Sequence, residues 1–167
     1  MIVSKWVTIG GLVTLSILTF VVTLVVPTEV KSSSKVTLHS AYKGVGTLTN
    51  VTPNRTHWGG IYWGHSFNDS MSGFLHKAVW NCPAAADIAD GQVTFKGYCT
   101  LTDADGNKVF GDWSGSGPLT GEITGRLKMT GGSRRYATIK GSLDFQCKGV
   151  GTDDQLFCTQ QVEYELP

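Results

Sequence analysis

Ile139-Lys140-Gly141-Ser142-Leu143-Asp144-Phe145-Gln146-Cys147 alternates apolar or small residues with polar ones, and Leu156-Phe157-Cys158-Thr159-Gln160-Gln161-Val162-Glu163-Tyr164-Glu165-Leu166 continues the same period after a short connection. A period of two sends successive side chains to opposite faces of a strand. Ile139, Gly141, Leu143, Phe145 and Cys147 therefore share one face, and Lys140, Ser142, Asp144 and Gln146 the other. In the second stretch Leu156, Cys158, Gln160, Val162, Tyr164 and Leu166 stand together against Phe157, Thr159, Gln161, Glu163 and Glu165. Each strand has one buried face, and an antiparallel pairing lets Cys147 and Cys158 meet on it. Cys82 would then join Cys99, although four cysteines allow three connectivities and all three remain open at this level.

Outward from this pair, strand patterns recur along the chain: Val36–Tyr42, Val45–Thr52, Gly60–Phe67, Gly73–Asn81, Gln92–Leu101, Lys108–Trp113, Gly121–Thr130 and Ala137–Cys147, with Gln155–Leu166 last. Turn residues separate them, and Asp105-Gly106 is a hairpin signal. Eight or nine strands of this length exclude a parallel α/β fold. Glycines inside strands, among them Gly97, Gly125 and Gly141, suit a curved sheet that closes on itself. The expected fold is all-β, a small antiparallel barrel of about eight strands over residues 36–167, with a Greek-key sandwich as the alternative.

Composition narrows the function. With 14 Lys plus Arg against 13 Asp plus Glu the net charge is +1, which leaves no electrostatic footprint for nucleic acid. Gly at 21 residues, Pro at 5 and an aromatic share of 10% fit many short strands and tight turns rather than disorder. All four cysteines follow residue 80 without zinc-type spacing, so paired disulfides in an oxidising compartment are expected.

The segment Trp6–Val26 carries no charge, and at 1.5 Å per residue it matches a hydrocarbon core about 30 Å thick. A cleaved signal peptide is the competing reading. The apolar run exceeds the usual h-region, and no small-residue cleavage pair sits at Val25-Val26-Pro27-Thr28. The expected organisation is a cytoplasmic stretch 1–5, a single transmembrane helix 6–26, a linker 27–35 and an extracytoplasmic barrel. This places the chain in an inner or plasma membrane, with the barrel periplasmic or extracellular. Thr8, Ser16, Thr19 and Thr23 fall on one helical face with Gly11 beside them. Such a stripe packs on transmembrane helices of a larger complex, unless the hydroxyls only satisfy their own i−4 carbonyls in a lone anchor.

Gly97-Tyr98-Cys99, Thr102 to Phe110, Trp113, and Thr130-Gly131-Gly132-Ser133-Arg134-Arg135-Tyr136-Ala137-Thr138-Ile139-Lys140-Gly141 carry a resemblance. Residues 97–141 resemble bacterial secreted proteins whose TGG-x-G-[KR]-[YF]-x-G-[IV]-x-G pattern is similar to the allene oxide cyclase and dirigent-like barrels. The resemblance implies an eight-stranded barrel. It implies no activity, since no catalytic residue of the cyclases maps onto these positions. Arg134 and Thr138 stand where that pattern has glycine.

Candidate chemistry is sparse. Asp103-Ala104-Asp105-Gly106-Asn107 opens like a calcium loop, but Ser114 occupies the position of the bidentate Glu, so a hairpin turn is the better reading. His57, His65 and His76, with His39 further off, lack a metal-site spacing. A triad of His65, Ser66 and Asp69 lacks a nucleophile elbow and is rejected. Sequons at Asn50, Asn54 and Asn68 matter only in a eukaryotic secretory pathway. Trp58, Tyr62, Trp63, Phe67, Phe74 and Trp80 form the most aromatic stretch, suited to a core, a pocket for a lipophilic ligand, or an interface. Arg134-Arg135 suits a solvated turn or an acidic contact.

Three functions follow in order: a non-catalytic accessory or stabilising subunit of a larger membrane complex, in contact with lipid bilayer; a tethered barrel binding a lipophilic small molecule; and a cyclase- or isomerase-like enzyme by analogy of fold alone. No cofactor or metal is expected. On the first reading Thr19→Leu combined with Thr23→Leu weakens co-purification with the partner from mild detergent, and unchanged recovery would count against the stripe as the contact.

Overall fold

The computed structural model describes residues 33–150 and 155–166. The span Trp6–Val26 with its stripe of Thr8, Gly11, Ser16, Thr19 and Thr23, and the linker up to residue 32, lie outside the described residues. Among the described residues no helix is long and apolar enough to cross a membrane.

Eight strands follow one another: β1 (Ser34–Thr52), β2 (Arg55–Asn68), β3 (Ala78–Ala89), β4 (Gln92–Thr102), β5 (Lys108–Pro118), β6 (Glu122–Gly132), β7 (Lys140–Val150) and β8 (Gln155–Glu165), with a 3-10 turn at Arg134–Tyr136. Each pairs antiparallel with the next, and β1 closes the sheet on β8 from Ser34 opposite Tyr164 to Lys43 opposite Gln155. The result is an up-and-down barrel, not a Greek-key sandwich. Closure leaves no sheet edge between β8 and the first half of β1.

Nine expected stretches become eight strands for local reasons. Val36–Tyr42 and Val45–Thr52 are one strand, because Gly44 is buried and paired with Tyr62 rather than a break. β2 starts at Arg55, five residues before Gly60, since Gly59 and Gly60 stay in register with Thr47 and Gly46. Residues 73–77 are not strand: they belong to a loop in which Met71, Gly73, Leu75 and Lys77 all take positive φ. β7 begins at Lys140 rather than Ala137, because the preceding residues close the 3-10 turn.

The alternation in β7 and β8 holds. Leu143, Phe145, Cys147, Cys158, Gln160 and Val162 are buried, whereas Asp144, Gln146, Phe157, Thr159 and Gln161 are exposed. Cys147 lies directly opposite Cys158 and is bonded to it, and Cys82 is bonded to Cys99 across β3 and β4, each pair with Cα atoms 4.1 Å apart.

An eight-stranded bore is just wide enough for side chains to fill. Here large rings lie over cross-strand glycines. Trp113 is opposite Gly97 and Phe145 opposite Gly125. A Cβ at Gly97 would fall 2.7 Å from Trp113 Nε1 and 2.9 Å from the Ala84 Cβ, and one at Gly125 would strike the Phe145 ring, the Ser114 carbonyl and the Gly115 Cα. Tyr42 covers Gly64 in the same manner, and Trp58 lies over Gly46 on β1 as well as Gly60 on its own strand.

One end of the barrel is plugged. The β2–β3 loop sends Phe74 and Leu75 inward, where they are buried with Tyr136 and Ile139. Phe74 stacks on Tyr164 at 3.8 Å between centroids and meets Tyr136 edge-on at 5.7 Å. Asn68 holds this loop: its amide donates to the Ser72 and Phe74 carbonyls and its oxygen accepts from the Ser72 N–H. Both ends of that buried side chain are thus engaged inside the protein.

Gly125→Ala forces backbone apart on β5 and is expected to destabilise the barrel by about 1–3 kcal/mol in urea unfolding. Gly149→Ala, whose Cβ meets nothing within 4 Å, stays within about 0.5 kcal/mol of the parent.

Candidate functional site

Between the plug and the far mouth the bore holds a cavity of about 60 Å³, several times what one water molecule needs. Its wall is built from inward positions of β1 to β8. Rings run around one side in contact: Trp58 and Tyr62 at 5.0 Å, Tyr62 and Phe95 at 6.1 Å, Phe95 and Trp113 at 6.1 Å, Trp113 and Phe145 at 5.9 Å. Leu127, Leu143 and Ile123 complete it, and the two disulfides face the cavity from opposite walls. No Asp, Glu, His, Lys or Arg lines it.

Polar groups in the bore are few and mostly engaged with each other. The Ser40 hydroxyl donates to Gln160 Oε1 at 2.6 Å, and the Gln160 amide donates to the Tyr42 hydroxyl at 2.8 Å. Burial pushes the Tyr42 phenol well above its ordinary range, against the lowering effect of its bonds to Ser40 and Gln160. Trp80 Nε1 donates to Ser66 Oγ at 2.8 Å, and Ser66 donates onward to the Leu75 carbonyl at 2.8 Å. Among the described residues Trp113 Nε1 is a buried side-chain donor with no acceptor.

The aromatic stretch flagged in the sequence divides by parity. Trp58, Tyr62 and Trp80 point into the bore, with Tyr62 and Trp80 on the cavity wall, and Phe74 joins the plug. Trp63 and Phe67 point outward and are 48% and 47% exposed. Phe95, Trp113, Phe145, Tyr42 and Gln160 complete the wall, and the signal for several of them was available: they share strand parity with the cysteines.

The remaining candidates come apart. His65 points outward, away from the buried Ser66, so the rejected triad has no geometry. His39 pairs with Asp69 at 2.8 Å on the surface, and the His76 ring accepts from the Asn68 N–H at 3.4 Å. Among the described residues no group of His, Cys, Asp or Glu is arranged to hold a metal ion.

The calcium-like turn is folded onto itself. Asp103 Oδ1 accepts from the N–H groups of Asp105 and Asn107 at 2.9 and 2.8 Å, while Oδ2 takes the Asn107 amide at 3.1 Å and the Arg135 guanidinium at 2.5 and 3.1 Å. Burial of the carboxyl opposes ionisation, but the bonds from Arg135, Asn107 and Tyr136 outweigh it and hold its pKa at about 2. Arg135 is thereby an anchor of the β6–β7 turn to the β4–β5 turn. Arg134, at a glycine position of the resembling pattern, takes φ 49°, the left-handed conformation that glycine adopts without cost.

Protein families offer no match to the chain, and neither do curated proteins. Among solved structures a pterocarpan synthase dirigent protein is similar, with a TM-score of 0.52 and 11% identity over 79% of this chain and 89% of its own. At that identity the likeness is one of fold, and it agrees with a dirigent-like barrel.

Asp103 ionises more readily folded than unfolded, about 2 against an ordinary 3.8, so its pairing adds stability above pH 4 that is lost as the pH falls towards 2. Asp103→Asn is expected to cost about 2 kcal/mol at pH 7 and to flatten the acid limb of stability between pH 4 and 2, measured by urea midpoints across pH.

Proposed function

We propose that the barrel holds a small lipophilic molecule in its bore and performs no chemistry on it. The observation that carries this reading is the cavity itself: lined by aromatic and aliphatic side chains, with no charged group on its wall. Apolar concave sites of this kind bind by area removed from water, and a few fixed polar groups orient the ligand. General acid or base work needs a titratable group within reach of the reacting atom, and the wall's hydroxyls are phenols, that of Tyr42 held protonated by burial. The two disulfides fit a chain folded in an oxidising compartment. A membrane anchor at Trp6–Val26 would keep such a barrel beside a reservoir of lipophiles.

A second reading, the accessory subunit of a membrane complex, draws on a different surface. Trp63, Phe67, Val79 and Phe157 are large apolar side chains exposed on the outer wall of β8, β1, β2 and β3, with His65 and Ala41 between them in register. Contiguous exposed apolar area of this kind marks a contact with another macromolecule.

One preparation tests both. The protein is isolated from its native membranes in mild detergent through a C-terminal tag, its organic extract analysed by mass spectrometry and its co-migrating proteins identified. One small lipophile at near-stoichiometric yield is expected, and Leu143→Phe, which fills the bore, should lose it while both disulfides still form. A clean extract defeats the binding reading, and stoichiometric membrane subunits in its place would establish the second.

A further inference from the structure

We infer that the bore selects uncharged lipophiles bearing a hydrogen-bond acceptor, such as a carbonyl, and that the Trp113 indole N–H is the group that recognises it. The inference rests on the ligand-binding reading and deepens it.

The fold provides partners for the other polar groups of the interior just described: Trp80 donates to Ser66, Ser40 to Gln160, and Gln160 to Tyr42. Trp113 Nε1 is the exception, shut off from solvent without an acceptor, on a ring that forms the cavity wall. A buried donor with no partner forfeits its hydration without return. Packing alone does not call for it. Phe145 covers Gly125 with a plain phenyl ring, as Trp113 covers Gly97, so a phenylalanine at 113 would shield the glycine without burying an N–H.

The indole lies close over Gly97 because residue 97 has no side chain: a Cβ there would stand 2.7 Å from Nε1, so an acceptor in the bore reaches the N–H as the ring edge moves off that glycine. The Pro83 carbonyl also lies beside Gly97 without accepting from the indole. The ligand is uncharged because no cationic or anionic side chain lines the wall, and an ion taken into that surrounding would leave its hydration with nothing to replace it.

The test uses the full chain in lipid nanodiscs, with indole nitrogens labelled, and two probes of nearly equal shape: acetophenone, which carries a carbonyl, and α-methylstyrene, which has a vinylidene carbon in its place. Acetophenone should bind roughly 3- to 10-fold more tightly at equal free concentration and move the Trp113 indole N–H resonance downfield, the resonance being assigned by its loss in Trp113→Phe. That variant should bind the two probes alike. Equal binding of both probes to the parent with the Trp113 resonance unmoved overturns the inference while leaving a lipophile-binding bore intact. Failure of both probes to bind overturns the bore as a ligand site and the inference with it. Should Trp113→Phe not fold, the parent's own probe preference and indole shift, with assignment by through-bond correlation, still decide the matter.

Discussion

The bore of an eight-stranded barrel cannot take a full side chain at every inward position, and the whole interior is arranged around that restriction. Four rings lie across glycines: Tyr42, Trp113 and Phe145 over glycines on neighbouring strands, and Trp58 over Gly46 on the neighbouring strand and Gly60 on its own. Each pairing does two things. The glycine lets the ring lie flat against backbone, and the ring buries the backbone that the glycine leaves bare. Of these rings Tyr42, Trp113 and Phe145 also line the cavity, so the groups that cover the glycines are among those that shape it.

Two other devices keep this wall in place. The disulfides join β3 to β4 and β7 to β8 on opposite sides, spanning 17 and 11 residues. Loops of that size restrict the unfolded chain by about 3 kcal/mol each in the chain-entropy account. At the plugged end the Asp103 carboxylate gathers backbone N–H groups from its own turn and the Arg135 fork from the β6–β7 turn. Such a carboxylate is charged, buried and fully occupied, the condition under which a buried charge is tolerated. That end is therefore closed, and the β1–β2, β3–β4 and β5–β6 turns lie at the other.

Much of this was legible before any coordinates. Alternation over Ile139–Cys147 and Leu156–Leu166 gave the buried faces up to Leu166, which is exposed, and put Cys147 and Cys158 where they could meet while leaving the connectivity open, because period-two burial is a local signal. The β2–β3 loop was not legible: Phe74 and Leu75 read as strand residues, and only the barrel end they fill distinguishes a plug from a strand. Gly44 read as a gap between two strands and Gly60 as the start of one for the same reason, since a glycine within a strand and a glycine in a turn look alike in sequence. The aromatic cluster was half legible. Strand parity separates Trp58 and Tyr62 from Trp63 and Phe67, but which parity faces inward is decided by Cys82 and Trp80 one strand away. Arg134 shows the reverse case, a position where the turn survives although the residue type argues against it.

Trp113 joins these levels. Its place opposite Gly97 is dictated by strand register, its ring by the need to cover that glycine, and its exposure to the cavity by the width of the bore. None of those constraints distinguishes an indole from a phenyl. The remaining difference is a single donor in a wall otherwise stripped of available polarity, where water is excluded and a hydrogen bond is stronger than in solution. A donor so placed adds nothing to the stability of the barrel and weakens it if unmet. On the proposed ligand-binding reading, its contribution is realised when an acceptor enters the bore, which would make it a property of the site rather than of the fold.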